Sequence, residues 1–278
     1  MEIAVTGGNG RLGRVLTAQL LAGGYRVRSL DRREMPGPNV AGQSPENYTY
    51  RNVDLNYLDQ VIEALRGCDA IIHTAAFPGP QGQPPGVVYT NNTQASYNVL
   101  YAAGELGIRR VSMSSSVNAL GGIGSQVGRY DYFPVDELHP TYNAGDYALS
   151  KWVMEAQGDS FARRFPEMTL SSLRLHALPD EPPVLEHTLN SAEDGVARTL
   201  WGWTLISEAA RAHILAIQAD YTGHEVFFIT APTTGSAIPS LELARHAYPH
   251  VPIRGDLSGN KSFYDCSKAA RLLGWIHI

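Results

Sequence analysis

Lysine is scarce in this 278-residue chain, occurring only at 151, 261 and 268, although arginine is used freely. No run of basic residues exists and the formal charge is -5. The chain therefore lacks the electrostatic footprint of a protein that binds nucleic acid or an anionic membrane surface, and the expected partner is a small molecule. Cysteine is almost missing as well. Cys68 and Cys266 stand alone, without CxxC or Cys/His spacing. That suits reduced thiols better than a disulfide framework or a zinc site, so no metal is expected and the thiols read as structural. No 18-residue apolar run appears, and the opening MEIAVTGG has no basic segment followed by a long apolar stretch. The expectation is a soluble, cytoplasmic protein with one large domain, or one domain and a small appendage.

What is present is a rhythm. Short β-branched runs alternate with longer helical patterns: EIAVT (2–6), RLGRVLTAQLLAGG, YRVRSL (25–30), YTYRNV (48–53), NYLDQVIEALRG, DAIIH (69–73), a helix over 87–106 and RRVSMS (109–114). A helix from Gly145 to Arg164 and a sixth strand, TLSSLRL (169–175), continue it. Strands separated by helices imply a parallel sheet covered on both faces. Stretches rich in Pro, Gly or Asn interrupt the rhythm at 36–47, 77–86, 119–145 and 177–193, and the last three follow strands, where a doubly wound sheet builds its ligand crevice. After 193 the pattern thins to a helix (207–219), a strand (EVFFIT), a helix (239–247) and a short terminal helix.

The first strand runs directly into TGGNGRLG, with Gly7, Gly10 and Gly13 spaced G-x-x-G-x-x-G ahead of an amphipathic helix. In such a turn the first glycine permits the tight bend, the second lets a pyrophosphate approach the backbone, and the third lets the helix pack on the sheet. Asp31 closes the second strand at the distance a dinucleotide fingerprint requires, placed to accept from ribose hydroxyls, which favours NAD. Arg32 and Arg33 keep NADP as the alternative, because either guanidinium could clamp a 2'-phosphate if Asp31 turned away. Asp54, closing the third strand, is placed to accept from the adenine amino group, or serves only as a helix cap.

The lysine at 151 falls four residues after Tyr147, in YALSK. On a helix the two side chains leave the same face one turn apart, and a nearby ammonium is expected to lower the phenol's pKa toward a range useful for proton exchange. The fifth strand ends in SMSSSVNA and delivers Ser114 to the same edge of the sheet, where its hydroxyl could hold a substrate oxygen.

At this point the chain resembles the extended short-chain dehydrogenase/reductases, the NAD-dependent epimerase/dehydratases. TGGNGRLG, the acid ending strand two, DL at 54–55, HTAA at 73–76, NTQASYN at 92–98, SSSV at 114–117, YALSK and LRL at 173–175 occur in that family's order. The resemblance implies an α/β Rossmann-type doubly wound sheet over residues 1–176, carrying the cofactor and the catalytic residues, and a small substrate-binding portion over 177–278, interleaved with it. It implies that Tyr147 is the general acid/base, that Lys151 holds the nicotinamide ribose and tunes Tyr147, and that Ser114 occupies the catalytic serine place. Cofactor contacts would come from Gly7, Gly10, Arg11, Leu12, Gly13, Asp31, Arg32, Asp54, Leu55, Thr74, Ala75, Ala76, Asn92, Tyr147, Lys151 and His176. Asn92 would steady the strand-four region, and His176, with Trp201 and Trp203, falls where the family lines its pocket, although packing is the commoner job for such residues.

Some features depart from the family. Asn118-Ala119 replaces the usual Tyr-Gly after the serines, and nothing acidic replaces Ser115 or Ser116, which disfavours dehydratase chemistry. The stretch after Lys151 is shorter than sugar-nucleotide epimerases devote to their substrate. The expected function is an NAD(P)-dependent oxidoreductase interconverting an alcohol and a ketone or aldehyde on a small organic molecule. The alternatives are an epimerase or isomerase with tightly bound NAD(P) and no net redox change, or a non-catalytic dinucleotide-sensing regulator. By analogy with the family, a homodimer is expected to pair helices 87–106 and 146–164 through Tyr97, Tyr101, Trp152 and Phe161. The 119–145 segment, with Tyr130, Tyr132, Phe133 and Tyr142, is expected to form a wall or lid of the substrate pocket.

Overall fold

The computed structural model describes residues 1–35, 45–79, 82–122 and 128–278. Residues 36–44 of the 36–47 stretch and 123–127 of the 119–145 segment therefore lie outside the described residues. In chain order the elements are β1 (Glu2–Thr6), α1 (Arg11–Ala22), β2 (Arg26–Asp31), β3 (Tyr48–Asn52), α2 (Leu58–Leu65), β4 (Ala70–His73), α3 (Val87–Leu106) and β5 (Arg110–Ser116). There follow α4 (Asp146–Arg164), β6 (Thr169–Leu175), α5 (Gly195–Arg198), α6 (Ile206–Gln218), β7 (Gly223–Ile229), α7 (Ser240–Ala247) and α8 (Ser267–Leu273). Every strand pairs parallel in one sheet of order β3-β2-β1-β4-β5-β6-β7. This is the expected doubly wound, Rossmann-type sheet. The order reverses between β1 and β4, and that switch point opens a crevice beyond the strand C-termini.

The strand pattern explains the two-faced burial. Ile3 and Val5 of β1 pack with Leu16, Leu20, Ala210 and Ile217 under α1 and α6, while Ala4 between them joins Val61, Val99, Met154 and Phe161 under α2, α3 and α4. The period of two sends successive side chains to opposite faces, and both faces are dry. β7 and α6 come from beyond residue 176, and both belong to the sheet layer. Beyond the strand ends a third body of apolar side chains forms from several distant segments, among them Phe133, Trp201, Phe228, Tyr248 and Phe263.

That third body takes up two of the four aromatic residues expected in a wall or lid, Tyr130 and Phe133. Phe133 is fully buried and Tyr130 nearly so, and the chain here is tied down by Phe133 N to Pro252 O (2.9 Å), Val135 N to Phe263 O (2.8 Å) and Asp265 N to Val135 O (2.9 Å). Tyr130 further donates its hydroxyl to Arg198 O at 2.6 Å. These faces are spent on the core and are not free to swing over a ligand. Trp201, also buried, donates Nε1 to Asn190 Oδ1 at 2.9 Å and packs on Phe263, a packing role like that of Trp203 against His277.

The glycine turn shows how tightly the switch point is built. Gly7 has φ of 66°, and a Cβ there would sit 2.8 Å from the backbone of Ala75; a Cβ on Gly13 would sit 2.2 Å from Gly7 O. Gly13→Ala is therefore expected to destabilise by roughly 1 to 3 kcal/mol through overpacking against rigid backbone. Gly79→Ala, where nothing lies within 4 Å, should stay within about 0.5 kcal/mol of the parent. Denaturant midpoints of the two variants check this, and equal midpoints would refute the close-packing account.

Candidate active site

The site is assembled from the C-terminal ends of β1 to β6 and the first turns of α1 and α4. One cleft, of about 180 Å³, is lined by Gly7, Gly10, Asp31, Arg32, Asp54, Leu55, Ala75 and Asn91 among others. A second, of about 570 Å³, runs from the same glycines past Arg11, Leu12, Gly13, Thr74 and Ala76 to Ser114, Ser115, Ser116, Asn118, Tyr147, Lys151, His176, Leu178 and Thr199. Gly7, Gly10, Thr74 and Ala76 border both, so the two form one trench across the switch point.

The residues fit a dinucleotide. At Gly10, the residue before α1, a Cβ would meet only Gly7 O, at 3.2 Å. The helix starts with no acidic residue in its first turn, leaving its N-terminal dipole for an anion. Asp31 is fixed at the end of β2 by two backbone amides, Asn9 N to Oδ2 and Arg33 N to Oδ1, both at 3.1 Å. That pose presents a carboxylate where ribose hydroxyls would lie and where a 2'-phosphate would be repelled. Arg32 lies 3.9 Å from Asp54 Oδ2 and 5.4 Å above the Phe77 ring, so it flanks the adenine end of the slot. Asp54 itself accepts from Asn56 N at 3.0 Å and Asn56 Nδ2 at 3.1 Å. Thr74 spends its hydroxyl on Thr6 O at 2.8 Å.

Asn92 is buried and ties together the loop after β4 and the two following helices. Its Oδ1 accepts from Phe77 N at 2.8 Å, and its Nδ2 donates to Phe77 O at 3.1 Å and to Ser150 Oγ at 3.2 Å. Contrary to the expected cofactor contact it lines neither cleft, because its amide is spent on this tie; its neighbour Asn91 lines the first. His176 is likewise fully satisfied: its Nε2 donates to Thr199 O at 2.9 Å while Nδ1 accepts from Ala177 N at 2.7 Å. Burial holds its pKa down at about 4, so the ring is neutral.

Tyr147, Lys151 and Glu155 occur one turn apart on α4, and Lys151 and Glu155 are buried. Polar residues in a helix's buried stripe are costly unless each has a partner. Lys151 Nζ donates to Ser114 O at 2.7 Å and lies 5.6 Å from the Tyr147 ring centre. Glu155 takes Arg174 in a two-pronged pair, Nε to Oε1 at 3.0 Å and Nη2 to Oε2 at 2.8 Å, and also accepts from Ser115 Oγ at 2.5 Å. Burial lowers Lys151 to about 8, with the Glu155 carboxylate acting in the other direction. Tyr147 moves opposite to the expectation from its lysine neighbour. Burial raises its pKa, and the opposing influence is a hydrogen bond from Ser116.

Three serines in a row thus do three different things. The Ser114 hydroxyl pairs with His213 Nε2 at 2.9 Å. Ser115 turns to the other face of the sheet, toward Glu155. Ser116 is the one beside Tyr147, and its Oγ also accepts from Asn118 N at 3.1 Å. The sequence reading missed His213, Glu155 and Arg174, whose only signal was the placement of polar residues at core positions of α6, α4 and β6.

A dinucleotide trench that ends at a Tyr-x-x-x-Lys helix on a doubly wound sheet defines a nicotinamide-dependent short-chain dehydrogenase/reductase. The chain belongs to the NAD dependent epimerase/dehydratase family, whose model matches residues 3–229. NAD is the cofactor of that family, as expected. Among relatives, a dihydroflavonol 4-reductase-like protein of Synechocystis sp. is 25% identical over 313 residues, covering 97% of this chain and 88% of that protein. The NAD(+)-using dTDP-6-deoxy-L-talose 4-dehydrogenase of Aggregatibacter actinomycetemcomitans is 24% identical over 182 residues, 63% of this chain and 61% of that enzyme. Among solved structures, MoeE5 in complex with UDP-glucuronic acid and NAD superposes with a TM-score of 0.72 at 22% identity, covering 100% of this chain and 94% of MoeE5. Uronate dehydrogenase from Agrobacterium tumefaciens, complexed with NAD, gives 0.68 at 18% identity, covering 100% and 84%. At these identities the two structures speak for the fold. No helix among the described residues is long and apolar enough to cross a membrane.

Three imidazoles carry a pH dependence. His73 and His213 are held at about 3, first by burial and then by Lys151, and His176 at about 4 by burial. Between those values and 6.5 the unfolded chain binds more protons than the folded one, so stability rises with pH through that window and is lost as pH falls through it. Unfolding temperatures measured from pH 7 to pH 4 are expected to drop steadily, with a shallower slope for His176→Gln. An unchanged slope in that variant would show that His176 takes up its proton without unfolding.

Proposed function

We propose that this protein is an NAD-dependent oxidoreductase that interconverts an alcohol and a ketone or aldehyde on a small organic molecule. The observation that carries the reading is the meeting of Tyr147, Ser116 and Lys151 at the inner end of the dinucleotide trench. NAD, when bound there, supplies or accepts the hydride. In the reducing direction Tyr147 gives its phenolic proton to the carbonyl oxygen, and in the oxidising direction it takes the proton from the hydroxyl. Its raised pKa keeps it protonated at neutral pH, which suits the donor role. Ser116, in place of Ser114, holds the substrate oxygen, because the Ser114 hydroxyl is committed to His213. Lys151 holds the nicotinamide ribose.

Tyr147→Phe is expected to abolish turnover on a panel of small alcohols and carbonyl compounds while leaving NAD affinity near intact, because only the proton path is removed. Ser116→Ala should lower kcat by about 100-fold, the weight of one donor to a developing oxyanion. Retained turnover in Tyr147→Phe refutes the assignment. Product forming in the parent with no change in nicotinamide absorbance would replace net redox with epimerisation.

The protein is also proposed to work as a homodimer paired through α3 and α4. Tyr97 and Trp152 are each 41% exposed on these helices, with Leu149 beside them, whereas Phe161 belongs to the core and Tyr101 is half-buried against it. Light scattering at micromolar concentration should give twice the chain mass, and Trp152→Glu should halve it; a monomeric parent refutes the pairing.

A further inference from the structure

We infer that His213 is a positioning residue for Lys151, acting through Ser114; the functional weight of this rests on the cofactor role just proposed for Lys151. His213 lies on α6, on the opposite face of the sheet from α4, and is fully buried. Its ring stands between two hydroxyls of β5, with Ser112 Oγ 2.7 Å from Nδ1 and Ser114 Oγ 2.9 Å from Nε2. Ser112 and Ser114 are two apart on a strand and so share a face, which lets one ring hold both. The carbonyl of the same Ser114 accepts from Lys151 Nζ at 2.7 Å. Ser114 is thus gripped from both sides of the sheet, by its side chain from α6 and by its peptide oxygen from α4.

This grip matters because β5 is near its end. A carbonyl two residues before the strand terminus is steadied by neighbouring strands only in part, and it is the acceptor that fixes the direction of the buried ammonium. Without a ring partner, two hydroxyls would be left buried and unsatisfied, and the strand end would shift to satisfy them. The ring must also stay neutral, since a second cation beside Lys151 would oppose the first. Burial and the lysine itself hold His213 at about 3 and so secure this. The other groups that face Lys151 are Tyr147 and Glu155 on α4 and His73 on β4, with Arg174 of β6 engaged by Glu155. Thr6, whose hydroxyl is 2.8 Å from His73 Nδ1, completes a buried polar layer under the trench.

The test exploits the scarcity of lysine. Competitive acetylation from pH 6 to pH 10, read by peptide mass spectrometry, follows the ionisation of Lys151 separately from Lys261 and Lys268. NADH titration by fluorescence and unfolding temperature are measured on the same samples. An amide at 213 can replace one ring nitrogen at a time: His213→Gln restores a partner near Nε2 and so near Ser114, whereas His213→Asn reaches the Nδ1 side and Ser112. The expected result is that His213→Asn lowers the Lys151 inflection by about half a pH unit, the shift that weakening one hydrogen bond brings, and weakens NADH about fivefold. His213→Gln should stay within about twofold of the parent for NADH. Ser114→Ala, a single-atom change that leaves the carbonyl in place, should reproduce the His213→Asn result and provides the answer if a histidine variant does not fold. If the two histidine variants lower the unfolding temperature alike while the Lys151 inflection and NADH affinity stay at parental values, His213 is a core residue only and the inference is wrong. Protection of Lys151 by NADH in the parent tests the cofactor role separately, because the cofactor-free labelling curves decide the His213 question whatever NADH does.

Discussion

The structure around the trench is organised by one buried ammonium. Lys151 sits 5% exposed under the switch point, where a bare charge would be driven to lose its proton. Its neighbours moderate that cost in distinct ways. The Ser114 carbonyl gives it one directed hydrogen bond. The Glu155 carboxylate, one turn further along α4, favours the charged form without touching it. His73 and His213 are kept neutral, so that no second cation competes. The result is a lysine at about 8, close to the point where charge and neutrality balance near physiological pH.

The same arrangement accounts for the pair Glu155 and Arg174. A carboxylate placed to support Lys151 is itself 5% exposed, and it persists because Arg174 meets both its oxygens and Ser115 adds a third bond. Breaking such a buried pair leaves one charge alone and is far more costly than the pair is stabilising. The polar stripe of α4 that carries Tyr147 and Lys151 therefore depends on Arg174 of β6, although neither Glu155 nor Arg174 lines the trench.

Most of the fold was legible because both of its periodicities are strong. Runs such as DAIIH and TLSSLRL are too short for helices, and 87–106 is flanked by Gly86 and Gly107, so α3 matches its expected span. The short α5 and the 3-10 turn over Val117–Leu120 were not legible, since three or four residues carry no period. The proposal of Ser116 in place of Ser114 has a physical origin. β5 runs to Ser116, two residues beyond its expected end, and a two-residue extension keeps the same face while moving the strand tip. Ser114 and Ser116 were thus equivalent by pattern, and only the seat of His213 separated them. That seat could not be found from spacing, because it joins residues about a hundred positions apart.

Tyr130 and Phe133, in the segment after β5, lie in the core for a related reason. Glycines beside tyrosines read equally well as a mobile cover and as an anchored loop, and the difference lies in what the far end of the chain offers them. Here Tyr248 and Phe263 receive Phe133 edge-on, with ring centres 5.5 and 5.0 Å away, and Tyr248 also receives Tyr130 at 5.5 Å. The cleft's lining beyond the glycine turn includes side chains of modest size, Pro78, Asn118, Leu178 and Thr199, together with Tyr147 and Ser116. None of the described residues lining this cleft is a carboxylate, and the Ser115 hydroxyl is turned away to Glu155. Acid-assisted loss of water would need a carboxylate at that place, whereas exchange of one proton and one hydride needs only the phenol, the serine and the cofactor.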